Sequence, residues 1–105
     1  MRLGLPGMGR FSEPALLILE SLSTGEKHGY AMMEDIKARH QIDLGPGTLY
    51  GAITRLEEAG LIEALPPDER RRPYRLTSAG ERALAEQLRS LHQFSATGLE
   101  RLASS

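Results

Sequence analysis

Leu49, Ile53 and Leu56 recur at i, i+4 and i+7, Gly60 follows them, and the pattern then turns from helical to extended. That switch constrains the chain more than any other feature. A helix with one apolar stripe lays it on a core, and a glycine just past the stripe suits the left-handed residue that ends a helix. This helix is expected over residues 48–59. Beyond it, residues 61–65 are short, apolar and bounded by Pro66 and Pro67, and residues 73–76 make a second short extended stretch. Asp68, Glu69, Arg70, Arg71 and Arg72 lie between. The spacing predicts two strands joined by a charged hairpin tip.

Two helices are expected before the switch. Ser12 stands where an N-cap is favoured, with Glu13 and Pro14 in the first turn. Residues 15–19 and Leu22 are apolar around much of the circumference. Such a helix is covered on more than one side, by its own core and, at Leu17, by a partner subunit. A second helix is expected over 28–40, with Tyr30, Met33 and Ile36 as its core stripe. Residues 43–47 read as a turn. The first ten residues, rich in Gly and Pro, read as an arm. A last helix starts at Thr77 or Ser78, and residues 78–81, Ser-Ala-Gly-Glu, match a capping box. Its stripe is Leu84, Leu88 and Leu91, resuming at Leu102, with Ser95 and Gly98 between.

The chain of 105 residues suffices for one domain. The absence of cysteine removes disulfides, thiolate metal sites and cysteine nucleophiles. His28, His40 and His92 are too far apart for the short spacings of zinc sites, and nothing pairs a nucleophile with a base. No enzyme, metal or cofactor is expected. Apolar runs fall short of the roughly 18 residues that span a membrane, and the opening stretch lacks the apolar core of a secretory signal. The expected location is the cytoplasm. Net charge is −1, so any nucleic-acid contact relies on a local basic patch, here Arg70, Arg71 and Arg72 with Arg75 following.

The fold class is therefore mainly α with a small β-hairpin: a winged helix-turn-helix with an N-terminal arm over 1–76, then a dimerisation helix over 77–105. In such a module the third helix reads base edges in the major groove while neighbouring groups grip phosphate. Thr48, Gly51, Thr54 and Arg55 occupy its outward face, with Gly51 allowing close backbone approach and Arg55 suited to guanine. Tyr50 is expected to pack in part and offer its hydroxyl to phosphate. Tyr30 is expected in the core. Arg70, Arg71 and Arg72 are expected on a flanking groove or backbone, and Lys27 and His28 either at phosphate or in a cap or surface role. The dimer seam is expected at Leu17, Leu84, Leu88, Leu91 and Leu102. Two-fold symmetry would place the recognition helices about 34 Å apart on pseudo-palindromic double-stranded DNA. The near-neutral charge favours a rival reading, a winged helix that binds protein instead of DNA.

The residues also resemble a known family. His28-Gly29-Tyr30, Gly47-Thr48-Leu49-Tyr50, the run 55–62 from Arg55 to Ile62 and the run 72–80 from Arg72 to Gly80 look like the signature of PadR-type regulators. The resemblance covers about residues 18–85. It implies a homodimeric repressor of transcription whose last helix, often with the first, makes the dimer, and which a small aromatic or drug-like effector releases from DNA. The short tail is similar to the subfamily with a minimal C-terminal region. Where relatives often have proline after the tyrosine of the third helix, this chain has Gly51, and it lacks tryptophan for stacking an effector.

Overall fold

The structure, a computed structural model, describes residues 5–104. The first four residues of the expected arm, and Ser105, lie outside the described residues. From residue 5 onward the arm is part of the domain: Leu5 and Met8 are buried in the core, and the Leu5 amide donates to the Ser12 carbonyl at 3.2 Å. A 3-10 turn, Gly9–Phe11, leads directly into helix α1, Ser12–Leu22. Ser12 is thus the first residue of α1 and not its cap. Its amide is already satisfied by the Gly9 carbonyl, and no side chain caps this end.

Strand β1, Lys27–His28, is followed by helix α2, Gly29–His40. The buried residues of α2 are Gly29, Met32 and Ile36, while Met33 is half-buried. Tyr30 is 57% exposed. The expected stripe was rotated: with Met32 and Ile36 four apart defining the inner face, Tyr30 falls off it and points to solvent. Helix α3, Pro46–Glu58, begins two residues earlier than expected, with Pro46 in the first turn, where its missing N–H costs nothing. Its stripe of Leu49, Ile53 and Leu56 is buried, and Gly60 ends it at φ +75°.

Strands β2, Ile62–Ala64, and β3, Pro73–Leu76, form the expected hairpin. Ile62 pairs with Leu76, Glu63 with Arg75 and Ala64 with Tyr74. The sequence reading lacked β1, which pairs with β3 through Lys27 with Tyr74 and His28 with Pro73, giving an antiparallel sheet of order β1-β3-β2. Two residues carry no alternation that could announce a strand. Beneath the sheet, Ile18 and Leu19 of α1 meet the stripes of α2 and α3 in one core.

Helix α4, Ser78–Ser104, is the longest element. Thr77 caps it, accepting from the Gly80 amide at 3.0 Å while its hydroxyl donates to the Gly60 carbonyl at 2.7 Å. The expected capping box beginning at Ser78 does not form, because Ser78 is already helical. Gly80 lies against the chain between α3 and β2, and a Cβ there would sit 1.9 Å from the Leu61 carbonyl oxygen. The buried residues of α4 are Gly80, Leu84 and Gln87. Past Leu91 the helix projects from the domain, and the molecule reaches 57 Å in its longest dimension.

The blocking atom at Gly80 is backbone and has little room to yield. Gly80→Ala is expected to cost about 3 kcal/mol and to lower the melting temperature by roughly 10 °C or more in a thermal circular-dichroism scan. An unchanged melt would show that α4 is not seated on Leu61.

Candidate nucleic-acid interface

Helices α2 and α3 meet at Gly29. A Cβ on this residue would lie 2.5 Å from the Tyr50 hydroxyl and 2.8 Å from its ring carbon Cζ. The tyrosine ring therefore rests on bare backbone while remaining 49% exposed. Tyr50 packs and presents a hydroxyl at once, as expected. His28, just before Gly29, is the N-cap of α2; its Nδ1 accepts from the Ala31 amide at 3.4 Å.

The hairpin brings its arginines to the same place. At the tip, Asp68 and Arg71 exchange backbone hydrogen bonds of 2.8 and 3.0 Å around a tight turn in which Glu69 takes φ +58°. Arg71 Nη1 donates to His28 Nε2 at 3.1 Å, since a guanidinium has no acceptor. Arg72 donates to the Leu65 carbonyl at 3.0 Å, bracing the hairpin. Arg75 is spent on Glu63, its cross-strand partner, at 2.6 Å. Among the described residues, Asp68 and Glu69 form no ion pair with the arginines beside them.

Between helix-turn-helix and wing lies a cleft of about 300 Å³ lined by His28, Gly29, Tyr30, Tyr50, Tyr74 and the three arginines 70–72. The chain has three tyrosines, and all of them line it. Burial pushes the Tyr74 phenol above its ordinary value. The sequence reading assigned no site role to Tyr30 or Tyr74. Tyr30 was lost to the rotated stripe; Tyr74 becomes visible only once β1 pairs with β3.

Other expected contacts lie elsewhere. Lys27 turns away, its ammonium donating to the Ser21 carbonyl and, at 2.8 Å, to Thr24 Oγ1. It closes the C-terminal end of α1, where positive charge is favoured, and is corrected from a phosphate contact to a structural tie. Gly51 is corrected as well. It does not bare the backbone for DNA, because the Phe11 ring fills its open side: a Cβ at Gly51 would lie 2.8 Å from two ring carbons. Arg55 lies over the same ring, 5.6 Å from its centroid. Thr48 and Thr54 are exposed, with the Thr54 hydroxyl donating to the Tyr50 carbonyl at 3.0 Å.

Along the expected dimer seam, Leu84 is 6% exposed. It belongs to this chain's own core and has almost no surface left for a partner. Leu17 is half-buried against the same core, Leu91 is half-buried, and Leu88 and Leu102 are exposed. Among the described residues no cluster of side chains could hold a metal ion, and no helix is long and apolar enough to cross a membrane.

Three helices, a paired wing and a basic cleft beside the third helix define a winged helix-turn-helix transcriptional regulator. The profile of the "Transcriptional regulator PadR-like family" matches residues 18–86, and the chain belongs to that family. It is 37% identical over 81 residues to "Transcriptional regulator Rv3488" of Mycobacterium tuberculosis, covering 74% of this chain and 75% of that protein. It is 38% identical over 86 residues to an uncharacterized 37.1 kDa protein in transposon TN4556 of Streptomyces fradiae. That match covers 82% of this chain, which spans only a quarter of the longer protein. Among solved structures, a PadR family transcription regulator from Clostridium difficile superposes with a TM-score of 0.76 at 25% identity, covering 84% of this chain and 96% of that one. A transcriptional regulator from Clostridium thermocellum gives 0.73 at 26%, covering 82% and 89%. The family's members are transcriptional regulators and not enzymes.

A buried serine of α1 ties the helix-turn-helix to that helix. The buried Ser21 hydroxyl donates to Asp35 Oδ2 at 2.7 Å, and Arg39 donates to Oδ1 at 3.3 Å. The Ser21 hydrogen bond chiefly, helped by Lys27 and Arg39, holds the Asp35 carboxyl below its usual value despite desolvation. A lowered folded-state pKa means stability that is present above the ordinary aspartate value of about 4 and is lost as pH falls through the folded value. Ser21→Ala removes the leading cause. Urea unfolding between pH 7 and pH 3 is expected to show lower stability at pH 7 and a shallower fall on acidification. Parallel curves for the two proteins would remove Asp35 from the acid response.

Proposed function

We propose that this protein is a homodimeric, sequence-specific DNA-binding regulator, acting in the cytoplasm as a repressor that a small aromatic or drug-like effector releases from a pseudo-palindromic operator. The observation that carries the reading is the cleft in which three tyrosines and three consecutive arginines converge beside the first turns of α3. Phenol hydroxyls and guanidiniums are donors, and a duplex backbone presents acceptor oxygens. With phosphate held there, α3 enters the major groove and sets Thr48 and Thr54 toward base edges. Tyr30, Tyr50, Tyr74, His28 and Arg70 through Arg72 then form the phosphate-gripping set. Arg71 is shared with His28 until a phosphate replaces it.

The dimer rests on α4. A helix of modest length is marginal alone in water, yet among the described residues none of this one past Gln87 is buried. Residues 84, 88, 91, 95, 98 and 102 are spaced alternately four and three apart, the spacing of a coiled-coil seam. Ser95 and Gly98 are small, and a Cβ at Gly98 would meet nothing within 4 Å, so two helices could approach closely there. Phe94 and Leu99 flank the seam at 55% and 65% exposure. Functionally, residues up to 76 serve DNA and those from 77 serve the dimer, with the first turns of α4 shared between them. A groove of about 460 Å³ between Leu5, Pro6, Leu61 and the α4 residues Ala83, Glu86, Gln87 and Ser90 lies where α4 departs. An effector seated there would bear on the helix that sets the spacing of the two halves.

Fluorescence anisotropy with duplex DNA from around the protein's own gene tests the reading. Specific binding should weaken steeply with salt as counterions are released. Arg71→Ala is expected to weaken binding to all sequences alike and to flatten the salt slope by about one unit. If no duplex binds better than random DNA at moderate salt, the DNA-binding reading fails in favour of a protein-binding winged helix. Leu88→Asp puts a charge into the proposed seam and is expected to shift sedimentation toward monomer. A fully dimeric Leu88→Asp protein would place the interface elsewhere.

A further inference from the structure

The wing cleft accounts for one flank of α3, and the other flank carries a second pair of cations, Arg10 and Arg55. At about 100° per residue, Thr54 and Gly47 lie about 40° and 60° around α3 from Tyr50, near the centre of its exposed arc. Arg55 and Thr48 lie about 140° and 160° around, on the far edge. At that edge the Phe11 ring, filling the open side of Gly51, carries two guanidiniums: Arg10 at 5.0 Å from its centroid and Arg55 at 5.6 Å. Arg10, Phe11, Gly47 and Thr48 together line a hollow of about 420 Å³.

Among the described residues neither Arg10 nor Arg55 forms an ion pair, as is also true of Arg70, Arg71 and Arg72 in the wing. The fold also holds these like charges together, where mutual repulsion would otherwise part them. Phe11 is fixed by its seat on Gly51, and ring faces attract guanidinium. An anion arriving between α3 and the N-terminal segment would meet two cations already in position.

We propose that Arg10 and Arg55 form a second phosphate clamp on duplex DNA, across α3 from the wing, with Phe11 as the positioning residue that holds both. Arg10 thereby becomes a DNA contact although it precedes the helix-turn-helix. The clamp makes the DNA-facing surface two-sided: the tyrosine–arginine cleft grips on one side of the groove-facing arc, and the Phe11 trio grips on the other. The proposal rests on the DNA-binding reading above, and the test separates the two.

Salt titrations of duplex binding by fluorescence anisotropy would compare the wild type with Arg10→Ala, Arg71→Ala, Phe11→Leu, Phe11→Tyr and the two double variants Phe11→Leu/Arg10→Ala and Phe11→Leu/Arg71→Ala, with thermal melts confirming that each is folded. Loss of one phosphate contact lowers the slope of log K against log salt by about 0.9, so affinity lost between 50 and 200 mM salt should shrink about threefold for Arg10→Ala. The change should be equal for specific and random duplexes. In the Phe11→Leu background the Arg10 effect should largely vanish while the Arg71 effect persists, and Phe11→Tyr should retain the wild-type slope. An unchanged slope in Arg10→Ala beside a flattened one in Arg71→Ala overturns the clamp and leaves DNA binding standing. Fully additive Arg10 and Phe11 effects overturn the positioning role of Phe11. Absence of duplex binding by the wild type removes both the clamp and the function it rests on.

Discussion

The joint where Gly80 passes the Leu61 carbonyl holds the rest of the architecture in place. Gly60 ends α3 in a left-handed turn, Leu61 carries the chain into β2, and the Leu61 carbonyl accepts from the Thr77 amide at 3.1 Å. The Thr77 hydroxyl returns to the Gly60 carbonyl and receives the Gly80 amide, so α3, the wing and α4 share one knot of backbone. A side chain at position 80 would force these elements apart. Because wing and recognition helix leave the same knot, their mutual angle, and hence the width of the cleft between them, is set by backbone geometry.

A second bare glycine performs the corresponding task at the helix-turn-helix. Gly29 lets the Tyr50 ring lie on the backbone of α2, and the ring in turn forms a wall of the tyrosine–arginine cleft. Gly51 does the same for Phe11. Each of the three positions is a contact a Cβ would obstruct, and two of them, Gly29 and Gly51, seat the rings of Tyr50 and Phe11 on backbone. The chain's near-zero net charge is thereby reconciled with DNA binding. Asp68 and Glu69 are not paired to the neighbouring arginines, Arg75 is the arginine neutralised in the wing, and Arg70 to Arg72, with Arg10 and Arg55, lie on the face around α3.

Much of this was legible in the sequence. The stripe of α3, the Gly60 stop and the Pro-bounded strands give the winged helix without structural help, because each depends on local periodicity and turn chemistry. What was not legible depends on pairing or register. A two-residue β1 has no periodicity to read, so Tyr74 and the return of Lys27 toward α1 could not be foreseen. The α2 stripe was misread by one step because two methionines and a tyrosine compete for the inner face, and Tyr30 moved from core to cleft as a result. Gly51 resembled an opening for DNA, since nothing in the sequence reveals that an aromatic ring forty residues earlier will cover it. Leu84 belongs to a stripe that passes from core to solvent through Leu88 and Leu91, and only packing shows where the one gives way to the other.

The central claim is that two copies of this cleft and helix, joined through α4, read DNA as a symmetric pair. Genome-wide recovery of DNA fragments bound by the full chain tests it most directly. The account predicts a shared inverted repeat whose half-site centres lie a whole number of helical turns apart, about 10 base pairs or a multiple of it. Recovered fragments with no common motif, or with a single unrepeated half-site, would contradict it.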